Sequence, residues 1–173
     1  MKEISINKVT PNDLEELQKI SILTFSETFA PHNSEQNMSQ YMSNSFSRHR
    51  LATELNNDSS EFYFARLGDR VIGYVKINTG ASQTEPQTPN AVEIERIYVL
   101  QEYHGKKVGQ LLYEQAIRIA HDRRSDYVWL GVWENNAKAL RFYEKNGFVQ
   151  FDKHTFKLGD DEQTDLMVKK TLT

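Results

Sequence analysis

The chain has 173 residues, 38% hydrophobic and 26% charged. That is enough for one core and too few for two, so residues 1–173 read as a single domain. A net charge of −3 supplies no basic surface for general nucleic-acid binding, and zero cysteines exclude disulfides, thiolate nucleophiles and Cys-metal sites, in keeping with a reducing cytoplasm. The five histidines (His32, His49, His104, His121, His154) lack ligand spacing, so no metal is expected. No apolar run nears the roughly 20 residues of a membrane span. No leader is visible after Met1-Lys2.

In chain order, Ile4 to Lys8 alternates as a strand. Thr10-Pro11-Asn12-Asp13 reads as a helix start, with Leu14, Leu17, Ile20, Phe25 and Phe29 as the buried stripe and Pro31 as the stop. Ser34 to Asn44 and Ser47 to Leu55 read as two further helices. Phe62 to Leu67 and Val71 to Ile77 form a hairpin about Gly68-Asp69. Residues 79–90, with Gly80, Pro86 and Pro89, read as an exposed, mobile loop.

Val92 to Val99 is the central strand, rich in β-branched and aromatic residues. After a loop from Leu100 to Lys107, a helix from near Val108 places Val108, Leu111, Leu112, Ala116, Ile119 and Ala120 on one face. Its first N–H groups have no partner inside the helix, and the positive end of the helix dipole stands behind them. With Gly105, Lys106 and Lys107 beside it, this is the physics of a phosphate seat, although most glycine loops before helices are only turns and paired lysines are usually surface residues.

Tyr127 to Val132 is a buried strand, and Asn135 to Lys145 a helix with Ala137, Leu140 and Tyr143 or Phe142 inward, ended by Gly147. Phe148 to Phe156 and Thr164 to Lys170 are the closing strands around a turn at Gly159-Asp160-Asp161. The order predicts a mixed α/β (α+β) domain: a mostly antiparallel sheet of about seven strands flanked by helices, with one β-α-β crossover.

The stretch His104-Gly105-Lys106-Lys107-Val108-Gly109 resembles the acyl-CoA loop of the GNAT (GCN5-related N-acetyltransferase) family, [QR]-x-x-G-x-[GA]. His104 replaces Gln or Arg and Lys107 replaces the first Gly. Asn136 to Phe148 is similar to that family's second motif, N-x-x-A-x-x-F-Y-x-K-x-G-F, at every marked position. Glu93 to Tyr98, Trp129 to Glu134 and Glu162 to Leu166 are similar to the PaiA-type spermidine/spermine N-acetyltransferases.

The resemblance implies transfer of acetyl from acetyl-CoA to an amine, with no metal. Strands 92–99 and 127–132 would splay and admit the pantetheine arm, which would pair with free backbone at Ile97, Tyr98 and Val99. The pyrophosphate would rest on His104, Gly105, Lys106, Lys107, Val108 and Gly109, with Asn136, Lys138 and Lys145 also touching the cofactor. Tyr143 is the candidate general acid for the departing thiolate: a thiol pKa near ~8.5 and a phenol pKa near ~10 permit exchange. In most helices such a tyrosine is merely a core aromatic.

Glu95 is the candidate base for an amine whose pKa lies near ~10. Glu93, Glu134 and Glu27 are candidates for a carboxylate cluster that attracts a multiply charged amine, though glutamates are mostly solvated surface charges. The acceptor expected is a small-molecule polyamine. A protein N-terminus, a lysine or an aminoglycoside stays open, as does a CoA-sensing regulator with little catalysis. No nucleic-acid or membrane partner is expected, and either a monomer or a homodimer is compatible.

Overall fold

The computed structural model describes residues 3–85 and 87–172. Met1 and Lys2, where no leader is read, Pro86 of the 79–90 loop and Thr173 lie outside the described residues. The elements are β1 (Ile4–Lys8), α1 (Leu14–Phe29), α2 (Glu35–Ser45), α3 (Arg48–Leu55), β2 (Ser60–Leu67), β3 (Arg70–Thr79), β4 (Ala91–Val99), α4 (Val108–Asp122), β5 (Tyr127–Trp133), α5 (Ala137–Lys145), β6 (Val149–Leu158) and β7 (Asp161–Thr171). They follow the expected order. None of the described helices is long and apolar enough to cross a membrane.

The helix starts have local causes. Thr10 N–H donates to Asp13 Oδ2 at 2.9 Å, which caps a turn of 3-10 helix leading into α1. Ser34 and Ser47 each accept a main-chain N–H three residues on, at 3.1 Å, and so start α2 and α3. Gly147 adopts φ +92° just past the end of α5, the left-handed conformation that glycine enters without steric cost. Ala137, expected inward, is exposed; Tyr143 is the buried residue of α5.

Seven strands form one sheet in the order β1-β2-β3-β4-β5-β7-β6. Every pair is antiparallel except β4–β5. Helix α4 lies across β1 to β5, with α1 and α3 on the opposite face. The main core joins Leu17, Ile20 and Phe25 of α1 to Ile72, Val75 and Ile77 of β3 and to Leu112, Ala116 and Ala120 of α4. Gly73 has no room for a side chain: a Cβ there would come within 2.8 Å of the Tyr98 carbonyl oxygen.

The parallel pair is short. β4 and β5 meet only at Ala91–Tyr127, Val92–Val128 and Glu93–Trp129. On its other side, β4 carries a bulge: Lys76 opposes Arg96 and Ile77 opposes Ile94, which leaves Glu95 as the extra residue. A bulge bends its strand and sharpens the local twist. β4 therefore leaves β5 from Ile94 onward, while β5 stays paired with β7 as far as Trp133–Asp165. The wedge between them opens toward the mouth of α4.

The 79–90 segment is not a free loop. Trp129 Nε1 donates to Gln83 Oε1 at 2.8 Å, Thr84 N–H donates to Glu93 Oε1 at 2.8 Å, and the Tyr127 hydroxyl bonds Gln87. Trp129 and Tyr127 lie on β5, some 40 residues on, so nothing in the loop's own composition announces those two anchors. The anchors together tie the loop to β4 and β5 beside a second small cluster of Ala91, Trp129 and Met167.

Candidate active site

At the wide end of the wedge, the chain leaves β4 through a turn of 3-10 helix at Gln101–Tyr103 and enters α4. Gly105 (φ +77°) and Lys107 (φ +67°) are both left-handed. Lys107, the departure from the family pattern, thus holds the conformation that glycine would supply. Among the described residues, no N–H from Gly105 to Gln110 makes a hydrogen bond; the first to close is Leu111, on the Lys107 carbonyl at 3.1 Å. Six successive unpaired N–H groups at a helix mouth form a seat for a phosphate-bearing group. Nothing lies within 4 Å of a Cβ built on Gly105, so the seat is open.

A left-handed non-glycine residue costs on the order of 1 kcal/mol. Lys107→Gly should therefore raise stability by about 1 kcal/mol, read as a higher Tm. It should not abolish CoA binding, because the N–H donors stay where they are.

A cleft of about 300 Å³ joins this seat to the wedge. It is lined by Glu27, Thr28, His32, Val99, Gln101, His104, Trp133, Asn135, Asn136 and Lys138. Glu27, Val99, His104, Asn136 and Lys138 are thereby brought together as expected. His32 and Trp133 are additions; their rings meet at 5.0 Å, edge to face. Only the packing of α1 on β5 brings them there. A larger hollow of about 500 Å³ between α1 and α2 shares no residue with this cleft.

Several expected roles change. The Val99 carbonyl is not free: His104 Nε2 donates to it at 2.8 Å, folding the imidazole back onto the strand. A pantetheine amide would have to displace that ring. Ile97 and Tyr98 lie past the last β4–β5 pair, on the diverging part of the strand. Lys106 rests over the Tyr103 ring at 5.5 Å, and Lys145 is exposed on α5. Asn136 Oδ1 accepts the Ala139 N–H at 3.2 Å and so caps α5.

Tyr143 is 6% exposed and packs between Phe142 and Phe148, at 5.3 and 5.4 Å. Its hydroxyl makes no hydrogen bond among the described residues, so it is not a satisfied core phenol. Burial pushes its pKa above the ordinary tyrosine range, which keeps the proton on at any physiological pH.

The carboxylates do not cluster as expected. Glu95 lies in an ion network of five side chains: Lys76 Nζ is 2.8 Å from Glu95 and 3.1 Å from Glu54, Arg96 is 3.0 Å from Glu95 and 3.2 Å from Glu54, and Arg50 Nε is 3.3 Å from Glu54. Asn78 Nδ2 also donates to Glu95 at 2.8 Å. Burial alone would raise the Glu95 pKa, but the Arg96 and Lys76 charges outweigh it and bring it to about 2. A carboxylate so held is a poor proton acceptor, which corrects the reading of Glu95 as base.

Glu93 is 3% exposed and bonded to Asn78 and Thr84, beneath the 79–90 strap. Burial raises its pKa. It offers nothing to a substrate. Glu134 is exposed and does not line the cleft. Glu27 does line it, and its Oε1 accepts the Gln101 N–H at 2.9 Å.

A domain model described as "Acetyltransferase (GNAT) family" matches residues 17–148, which contain the wedge, the seat and Tyr143. The chain belongs to this family. It is an acetyl-CoA-dependent N-acetyltransferase of GNAT type. An uncharacterized N-acetyltransferase from the pepI 3' region of Lactobacillus delbrueckii subsp. lactis is 37% identical over 172 residues, 99% of each chain. A spermidine N(1)-acetyltransferase from Thermoplasma acidophilum is 26% identical over 171 residues, 96% of each chain. Among solved structures, a PaiA N-acetyltransferase from T. acidophilum in complex with coenzyme A superposes with a TM-score of 0.81 at 25% identity, covering 98% of this chain and 99% of the other. The PaiA-type resemblance and the GNAT fold class therefore hold.

Proposed function

We propose that this GNAT protein transfers acetyl from acetyl-CoA to a primary amine of a polyamine such as spermidine or spermine, directly, in a ternary complex. One observation carries the reading: an unbonded, protonated phenol, Tyr143, packs on a helix that also caps the cleft, beside a run of unpaired N–H donors. Similarity to a spermidine N(1)-acetyltransferase supports the acceptor class.

Bound acetyl-CoA supplies the thioester-activated acetyl group. The N–H groups of Gly105 to Gln110 hold a pyrophosphate, and Lys106, Lys107, Lys138 and Lys145 add positive charge on exposed stems around the cleft and the neighbouring helix. The β4 backbone at Ile97 to Val99 supplies a strand edge for an amide-bearing arm, once His104 releases the Val99 carbonyl. Tyr143 supplies a proton to the departing sulfur. Glu27 places one negative charge on the cleft wall. We place the enzyme in the cytoplasm, as a monomer or homodimer with no nucleic-acid or membrane partner.

The test is an amine panel with CoA release as the readout. The chain contains no cysteine, so a thiol reagent reports CoA alone. Spermidine or spermine should show kcat/KM at least about 10-fold above an aminoglycoside, a lysine peptide or a protein N-terminal peptide, a difference of ~1.4 kcal/mol. Preference for one of those others would replace the polyamine. CoA binding without transfer to any amine would make the protein a CoA-sensing regulator.

A further inference from the structure

With Glu95 held as an ion by Lys76 and Arg96, the amine proton still needs an acceptor, and a different carboxylate has the geometry for one. Asp165 lies on β7 directly across from Trp133, on the strand that borders the wedge. Its nearest obstacle is a missing side chain: a Cβ on Gly131 of β5 would stand 3.2 Å from Asp165 Oδ2. Gly131 therefore leaves the carboxylate uncovered where any other residue would crowd it. Trp133, its cross-strand partner, lines the cleft, so the Asp165 carboxylate stands beside the cleft wall.

We propose that Asp165 is the general base that takes the proton from the acceptor amine. This rests on the amine-acetylation reading above. The amine nitrogen attacks the acetyl carbonyl carbon; the N–C bond forms and the C–S bond breaks with its electron pair on sulfur. The proton on nitrogen passes to the Asp165 carboxylate, and the Tyr143 phenol proton passes to the thiolate. Solvent returns the Asp165 proton to Tyr143, so the balance is amine plus acetyl-CoA to amide plus CoA.

The surroundings suit the role. Unlike Glu95, Asp165 accepts no hydrogen bond among the described residues. Its one charged neighbour there is His154 of β6, with Nε2 4.0 Å from Oδ2. Glu85 of the strap is 3.3 Å from His154 Nδ1. From β5 it meets Gly131 and Trp133. Burial raises the Asp165 pKa to about 6, with His154 opposing, so it is ionised at neutral pH and still basic enough to accept a proton.

Wild-type turnover with spermidine is measured first, then Asp165→Asn across pH 5–9. Asp165→Asn should lower kcat/KM about 100-fold and abolish the acid limb centred near pH 6, with CoA affinity unchanged. Because burial disfavours the ionised form, the folded chain gains nothing from that charge above pH 6, and Asp165→Asn should fold at least as well as wild type. His154→Gln should move the acid limb to higher pH while preserving the plateau rate, a shift that a purely structural residue would not cause. Active wild type with an unaltered rate and acid limb in Asp165→Asn overturns this assignment alone. An inactive wild type overturns the amine reading and this assignment with it.

Discussion

Tyr143→Phe should lower kcat by about 10²–10³ while CoA still binds with wild-type affinity, the magnitude expected for loss of one positioned proton donor. The ring is wedged between Phe142 and Phe148, and phenylalanine preserves that packing. The hydroxyl it removes has no partner among the described residues, so no buried partner is left unsatisfied and stability should hold within about 0.5 kcal/mol. Burial keeps the phenol protonated, so the residual rate should show no new limb below pH 9. A turnover number equal to wild type between pH 6 and 9 would remove Tyr143 from the reaction. CoA affinity by calorimetry separates this loss from a damaged cleft.

Glu95→Gln should unfold more easily, by on the order of 3 kcal/mol at pH 7, the size expected when one partner is removed from a buried ion group. The network holds two acids, Glu54 and Glu95, against three bases, the exposed Arg50 and the deeply buried Lys76 and Arg96. Removing one acid leaves a buried positive charge without its counter-ion, the costly way to break such a group. The sign follows from the direction of the shift. A folded pKa of about 2, below the ordinary value near 4.5, means the contribution is complete above pH 4.5 and disappears as pH falls toward 2. The difference between wild type and variant, followed by denaturant unfolding, should therefore shrink over that window. Were Glu95 the base instead, the variant would keep its stability and lose its rate.

Glu95→Gln and Asp165→Asn separate roles that residue type alone would merge. Glu95 and Asp165 are both strand carboxylates next to the wedge. One is surrounded by Lys76, Arg96 and Asn78; the other faces a glycine and a histidine. Arg96 is the next residue, but Lys76, Asn78 and Glu54 lie 17 to 41 positions away from Glu95 along the chain and are set by the β3–β4 bulge and the packing of α3. No local pattern encodes them.

The sequence by itself determined the order of strands and helices, the helix start at Thr10, the helix stop at Gly147, the helix mouth after Gly105, and Tyr143 within its motif. These depend on periodicity, φ preference and hydrogen bonds three or four residues long, all of which act over one turn. Only the tertiary structure decided that Lys107 carries the left-handed turn, that His104 covers the Val99 carbonyl, that Glu93 is sealed under the strap and that Glu95 is held as an ion. It alone put Glu27, His32 and Trp133 into one cleft and left Asp165 open beside Gly131. Burial and neighbouring charge set what a carboxylate or a phenol can do, and both are supplied by residues distant in the chain.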